Sequence, residues 1–223
     1  MNNGQVRLSF STINNCLQPN NSHNWINKMM KIPVEVKPAM TAGRLGHDLI
    51  QKHVSGKELI KGLDYIKITF PIVEEKDFDE RCKFSFEVKG YEIIGFYDGL
   101  DRENGNMLEI KLSSNPWSVG KFKKAVQRKI YSLANPDLKK AYLITGSTNP
   151  EVWVKNPERE WEYQPLKIYS LALTEKDRQD ALKWIEAGIQ LFENGDFSGG
   201  LDENDRCTDP WCPWGKNCSF KQF

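Results

Sequence analysis

The sequence lacks long hydrophobic runs and internal repeats. No apolar stretch approaches the roughly 18 residues that a membrane span requires. The opening residues, MNNGQVRLSF, have neither the basic start nor the apolar stretch of a secretory signal peptide. We therefore expect a soluble, cytosolic protein with no membrane partner.

The sequence also has no strong excess of charge of either sign and no even set of cysteines. Its 31 Lys and Arg balance 30 Asp and Glu, and the net charge of +1 neither supports nor excludes a nucleic-acid partner. Five cysteines argue against a disulfide framework in a reducing compartment. With 223 residues, 39% of them hydrophobic, the chain can form one packed domain with a small appendage.

Helical and strand-like segments alternate along the chain. Residues 42–55 and 118–134 have apolar side chains at helical spacing, and Thr174 to Asp177 resembles a capping box that opens a last helix. Strand-like runs cover residues 65–72, 82–89, 91–98, 107–112, 141–145 and 167–172. This order predicts an α/β fold with a mixed central β-sheet flanked by helices over residues 1–195. A Cys-rich appendage over residues 196–223 follows it.

Two carboxylates and a lysine fall on a predicted β-hairpin. If Asn104-Gly105 is a two-residue turn, Asp98 lies opposite Lys111 and both share a face with Glu109. Carboxylates about 7 Å apart can share a divalent cation, and oxygen ligands favour Mg²⁺ or Mn²⁺. A cross-strand salt bridge would explain so short a pattern, but the apolar flanking residues indicate a buried sheet. The group is therefore a candidate centre for phosphodiester hydrolysis.

Four short motifs occur in order between residues 43 and 131. They are Gly43-Arg-Leu-Gly-His47, Gly95-Phe-Tyr-Asp98, Glu109-Ile-Lys111 and Gln127-Arg-Lys-Ile-Tyr131. The second and third resemble motifs II and III of the PD-(D/E)XK nuclease superfamily. The first resembles the helix histidine motif, and the last the QxxxY motif, of its RecB-like exonuclease branch. The resemblance implies a restriction-endonuclease-like core.

The resemblance also assigns roles to individual residues. Asp98, Glu109 and Lys111 would be catalytic. The implied metal ligands are His47, Asp98, Glu109 and Ile110. Asp101 is a rival carboxylate, but by strand alternation it should face the opposite side. His47 has a simpler alternative, a core histidine bonded to main chain, and the glycines of its motif would let the helix approach the sheet closely.

The second helix has an apolar side and a polar edge formed by Gln127 and Tyr131. Lys124 and Arg128 lie beyond that edge on a basic side. Such a helix can lie beside an active site and hold a phosphate backbone. The alternative is an ordinary amphipathic helix with a solvated lysine face. We expect the DNA-binding residues to be Gln127, Tyr131, Lys124 and Arg128.

Three cysteines crowd into the C-terminal appendage: Cys207, Cys212 and Cys218. Thiols at this density can wrap a metal, and Cys16 is the natural fourth ligand. The distribution resembles that of the CRISPR-associated and AddB-type iron–sulfur nucleases, which implies a four-iron four-sulfur cluster. Zinc and no metal at all are the alternatives. Cys82, in a strand-like run, is most simply a small buried hydrophobe.

These features predict a Mg²⁺- or Mn²⁺-dependent deoxyribonuclease that acts as an exonuclease on single-stranded ends. An endonuclease for duplex or branched DNA is one alternative. A non-catalytic nucleic-acid-binding module with a vestigial metal site is another, although Asp98, Glu109 and Lys111 are all intact. An unrelated metal-stabilised interaction protein is the third.

Overall fold

The computed structural model describes residues 6–17, 38–73, 80–147 and 165–194. Its helices are α1 (Phe10–Leu17), α2 (Pro38–Val54), α3 (Val119–Lys124), α4 (Val126–Ala134) and α5 (Glu175–Asn194). Its strands are β1 (Arg7–Ser9), β2 (Ile72–Val73), β3 (Lys83–Val88), β4 (Tyr91–Phe96), β5 (Gly99–Asp101), β6 (Asn106–Ser113), β7 (Lys140–Ser147) and β8 (Lys167–Ala172). Within these ranges no helix combines the length and apolar character that crossing a membrane requires.

The chain divides into two units. One comprises residues 1–36, 86–94 and 182–223, and the other comprises residues 37–85 and 95–181. All of the predicted catalytic residues lie in the second unit. The appendage predicted over residues 196–223 lies outside the described ranges.

The larger sheet has the strand order β2-β5-β6-β7-β8. β5 and β6 are antiparallel, with Leu100 opposite Met107. β6 and β7 run parallel, with Lys111 opposite Thr145. A parallel pair needs a crossover connection, and α3 and α4 lie on it. The mixed α/β class predicted from the sequence is therefore confirmed.

The core of this unit lies between α2 and the larger sheet. Ile50 and Val54 of α2 are fully buried, together with Leu108 of β6 and Ile144 of β7. Their burial explains why α2 follows the apolar spacing read from the sequence. This packing fixes α2 against β6, the strand with the Glu109-Ile-Lys111 motif.

A second sheet with the order β1-β4-β3 was not expected, because the sequence predicted one central sheet. β1 runs parallel to β4, with buried Leu8 opposite buried Ile93. β3 and β4 are joined by Lys89-Gly90, whose φ values of 50° and 81° suit a tight hairpin turn.

The predicted hairpin around residues 104–105 is wrong in detail. β4 ends at Phe96, and the chain changes sheets through Tyr97 and Asp98 before β5 begins. The turn after β5 spans residues 102–105, so Leu100 faces Met107 and not Glu109. The register differs by two residues. Because side chains alternate with a period of two, this shift leaves the predicted face unchanged.

Other element predictions had mixed outcomes. β8 was predicted at its observed bounds, and the capping box is confirmed, because Thr174 and Asp177 exchange hydrogen bonds between side chain and main-chain N–H. The run 65–72 contributes to a strand only at its end, in β2. The helix predicted over 118–134 is broken at Ala125, whose backbone is extended.

Candidate active site

One helix reaches Asp98 through two side chains. His47 and Gln51 lie one turn apart on α2, so they share a face. His47 Nε2 is 3.2 Å from Asp98 Oδ1. Gln51 Nε2 donates a hydrogen bond of 2.8 Å to the Asp98 main-chain carbonyl. The helix thus fixes both the side chain and the main chain of this residue.

Asp98 also bonds to the central strand. β5 pairs with β6 only as far as Leu108, and two residues further on the Ile110 N–H donates to Asp98 Oδ2 over 2.6 Å. Burial by itself would raise the pKa of Asp98. The neighbouring His47 and Lys111, with the Ile110 N–H, outweigh burial and lower it below its usual value. Asp98 is therefore ionised at neutral pH.

Glu109 and Lys111 form an ion pair on the same face of β6. The Glu109 side chain is only 3% exposed. Its Oε1 contacts Lys111 Nζ, and its Oε2 has no hydrogen-bond partner among the described residues. Burial raises the pKa of Glu109 to about 7, against the opposing charge of Lys111, and Asp98 adds to the rise. Despite burial, the carboxylates of Glu109 and Asp98 raise the pKa of Lys111.

These donors fit a hard divalent cation. The buried Glu109 Oε2 has no hydrogen-bond partner among the described residues, and burial and the negative charge of Asp98 both disfavour the ionised form of Glu109, a cost that a cation would relieve. His47 Nε2 and Asp98 Oδ1 are close enough to share an ion. As the side chains stand, no three His, Cys, Asp or Glu residues of the described ranges converge on one point. Ile110 has no side-chain donor atom, so only its carbonyl oxygen could contribute.

The Asp101 carboxylate is occupied by hydrogen bonds within a turn. Its carboxylate accepts hydrogen bonds from the Asn104 main-chain N–H and from the side-chain amides of Asn104 and Asn106. These bonds close the turn between β5 and β6. Asp101 is therefore a turn residue, which leaves Asp98 as the aspartate of this face.

Three supporting residues were missed by the sequence analysis: Gln51, Thr145 and Trp117. Thr145 is fully buried, donates to the Lys111 carbonyl over 2.8 Å and accepts from the Trp117 N–H over 3.0 Å. The Trp117 ring lies 5.7 Å from Lys111 Nζ and 4.6 Å from Lys121 Nζ. Gln51 could have been found from its helical spacing to His47. The other two depend on strand register, which the sequence did not reveal.

Gln127 and Tyr131 are bonded to each other, because Gln127 Nε2 donates to the Tyr131 hydroxyl. The sequence predicted Tyr131 at the border of the apolar side of the helix, and the structure buries it. It is 4% exposed and its ring packs against Phe84 and Tyr97, whose hydroxyl donates to the Tyr131 carbonyl over 2.9 Å. Burial raises the pKa of Tyr131, and the charges of Glu109 and Asp98 raise it further.

Arg128 does not lie on a basic face, which corrects the sequence prediction. It is 3% exposed, and its guanidinium pairs with Asp177 over 2.7 Å. A buried cation requires such a partner, and α5 supplies it from 49 residues away. Lys124 is exposed, as expected, together with Lys121 and Lys123 of α3.

The cysteine prediction falls largely outside the described residues, which exclude Cys207, Cys212 and Cys218. Cys16 belongs to α1, but its side chain is not among those described. Cys82 is fully buried, as predicted.

The comparisons with known proteins add a distant likeness in shape. No family model matches the sequence, and no curated protein does. One similar solved structure is the crystal structure of SSO0001, with 15% identity and a TM-score of 0.49, covering 84% of this chain and 77% of that one. Another is a protein named "Putative exonuclease" from Eubacterium rectale, with 13% identity and a TM-score of 0.49, covering 85% of this chain and 82% of that one. Likenesses of this degree carry no inference about activity.

Proposed function

We propose that this protein is a metal-dependent nuclease of the PD-(D/E)XK kind that hydrolyses phosphodiester bonds in DNA. It would act as an exonuclease on single-stranded ends. The observation that carries the proposal is the convergence of Asp98, Glu109 and Lys111 on one face of the larger sheet, with His47 against Asp98. A surface salt bridge would not bury the glutamate to 3% exposure and leave its Oε2 without a partner among the described residues.

The chemistry follows from the donor set. A bound Mg²⁺ or Mn²⁺ would polarise the phosphate and lower the pKa of a bound water. Asp98 and Glu109 would hold the ion through oxygen, with His47 and the Ile110 carbonyl as further ligands. Lys111, protonated beside two carboxylates, is placed to hold an anionic phosphate oxygen. Gln51 and Thr145 act as positioning residues, because they bond to the main chain of Asp98 and Lys111.

The exposed lysines of α3 suit a phosphate backbone. Lys121, Lys123 and Lys124 all reach solvent, whereas Arg128 and Tyr131 are buried. We therefore assign DNA binding to Lys124 and its neighbours, with Gln127 half-buried at the border. Arg128 and Tyr131 would act by holding α4 in place.

Digestion of end-labelled DNA tests the proposal directly. Linear single strands should be degraded with Mg²⁺ or Mn²⁺, should resist in EDTA, and should be degraded again when the metal is restored. A circular single strand should survive, because it has no end. Cleavage of the circle would identify an endonuclease, and binding without cleavage in either metal would identify a non-catalytic module.

Isosteric variants test the residues. Asp98→Asn, Glu109→Gln and Lys111→Met should each reduce cleavage by about 100-fold or more, because each removes a charge from the reacting centre. Asp101→Asn is the matched control, since Asp101 lies three residues from Asp98 but closes a turn. It should remain active. Wild-type rates for all three site variants would contradict the catalytic assignment.

We also propose that Cys16, Cys207, Cys212 and Cys218 hold a metal, either a four-iron four-sulfur cluster or zinc. The support is the cysteine spacing and its resemblance to iron–sulfur nucleases. Such a site would join the beginning of the chain to its end and stabilise both.

A further inference from the structure

A cleft adjoins the candidate active site between α2 and the end of β6. Its volume is about 710 Å³, within the range of about 300–1,000 Å³ that is usual for sites holding one small ligand. His47 and Lys111 line it, so it opens directly onto the proposed reacting centre.

The walls of the cleft are mainly apolar. Met40 and Gly43 contribute from α2, and Ile110 and Leu112 contribute from β6. A Cβ built at Gly43 would meet nothing within 4 Å, so the space in front of this residue is open. The cleft is therefore open at the point where a larger residue would fill it.

The charges around the cleft favour an anion. Arg44 is exposed and, among the described residues, makes no ion pair or hydrogen bond that would occupy its guanidinium. Lys111 adds a second cation. The opposing carboxylate, Asp48, is paired with Lys52 over 3.2 Å.

We propose that this cleft receives the terminal, unpaired nucleotide of a DNA strand. The base would lie against Met40, Gly43 and Leu112, and the phosphate would lie towards Arg44 and Lys111. The inference rests on the proposed nuclease function and deepens it.

The apolar walls discriminate between unpaired and paired ends. An unpaired base can leave the stack and offer its face to apolar side chains, whereas a base inside a duplex first has to be unpaired and unstacked. Methionine adapts to partners of different shape. We therefore expect a preference for single-stranded ends with little preference among the four bases.

Direct titration of small ligands tests this inference without any cleavage step. In isothermal titration calorimetry, deoxynucleoside monophosphates should bind about tenfold or more tightly than deoxyribose 5-phosphate, which lacks the base. Gly43→Leu should abolish that difference, and Gly43→Ala should retain it. Arg44→Gln should weaken nucleotide and sugar phosphate by a similar factor. Equal affinity of the wild type for both ligands would overturn the inference, as would an unchanged difference in folded Gly43→Leu.

Product analysis gives a second, independent test on the wild-type protein. Linear single strands should yield mononucleotides, and products of two or more nucleotides throughout the digestion would overturn the inference. The two proposals fail separately. Nucleotide binding without DNA cleavage removes the nuclease function and leaves the cleft, whereas cleavage without a base-dependent affinity removes the cleft and leaves the nuclease.

Discussion

The side-chain amide of Gln51 donates a 2.8 Å hydrogen bond to the main-chain carbonyl of Asp98. Gln51 is buried and follows His47 by one helical turn. Asp98 sits where the chain passes from β4 to β5, in neither strand. A residue outside regular structure depends on such bonds for its position, so Gln51 fixes the main chain of Asp98.

Replacing Gln51 should affect both stability and metal use. We expect Gln51→Leu to lower the free energy of unfolding by about 1–3 kcal/mol, because a partly buried carbonyl loses its donor. It should also raise the Mg²⁺ concentration needed for half-maximal cleavage, since Asp98 is held less firmly. Lys52→Gln, at the neighbouring position whose side chain is 42% exposed, is the control. Lost stability with an unchanged Mg²⁺ requirement would make Gln51 a structural residue only.

The buried pair of Arg128 and Asp177 gives the protein a pH-dependent stability. Burial would raise the pKa of Asp177, but its hydrogen bond and attraction to Arg128 lower it below the usual value. A lowered folded pKa stabilises the fold above the unfolded pKa of about 3.9, and this contribution is lost as the pH falls through the folded pKa. Urea unfolding from pH 7 to below the unfolded pKa of about 3.9 should show the stability advantage of the wild type over Asp177→Asn shrinking only at the acidic end of the series.

At neutral pH, Asp177→Asn should lower the free energy of unfolding by about 2–3 kcal/mol, because it weakens a charged hydrogen bond to a buried guanidinium. Asp180→Asn is the matched control on the same helix. The pair of Lys129 and Asp180 is more exposed, so its loss should destabilise the protein less than the loss of Asp177. Equal losses in the two variants would show that burial of Arg128 has no energetic consequence.

Two glycines of the sequence motifs should respond in opposite ways to alanine. A Cβ at Gly95 would overlap the Phe84 ring, so Gly95→Ala should cost about 1–3 kcal/mol. Gly43 lies in a helix with open space around it, so Gly43→Ala should stabilise the protein by about 0.5–1 kcal/mol. Thermal unfolding of the two variants measures both. The expectation that Gly43 allows close approach of α2 to the sheet is wrong, and stabilisation by alanine would confirm this.

The candidate site could be predicted because it depends on the alternation of side chains along a strand and on the order of the motifs along the chain. Glu109 and Lys111 share a face of β6 in either register, and Asp98, just before β5, reaches β6 through the Ile110 N–H. The helix with His47 was recognisable from its apolar spacing. Neither inference required the exact position of the turn between β5 and β6.

The predictions for the second helix were less accurate, because helical periodicity reports nothing about distant partners. The helical pattern predicted a solvated Arg128, but in the fold Arg128 pairs with Asp177 of α5. The same pattern placed Tyr131 at the border of the apolar side, but in the fold its ring packs against Phe84 and Tyr97. The helix breaks at Ala125, where the sequence has neither glycine nor proline to indicate a break. The errors at Arg128 and Tyr131 concern contacts between residues far apart in sequence.

The last prediction concerns the cysteines. If Cys16, Cys207, Cys212 and Cys218 share a metal, replacing any one by serine should release it and lower stability by several kcal/mol, because binding energy in such sites is folding energy. Cys82→Ala is the control, since buried Cys82 should not be a ligand. Anaerobic purification followed by metal analysis of the wild type and the five variants decides the matter. Iron with visible absorbance identifies a cluster, and zinc without colour identifies the alternative. Absence of both metals from the wild type, or metal loss confined to Cys82→Ala, would remove the shared site.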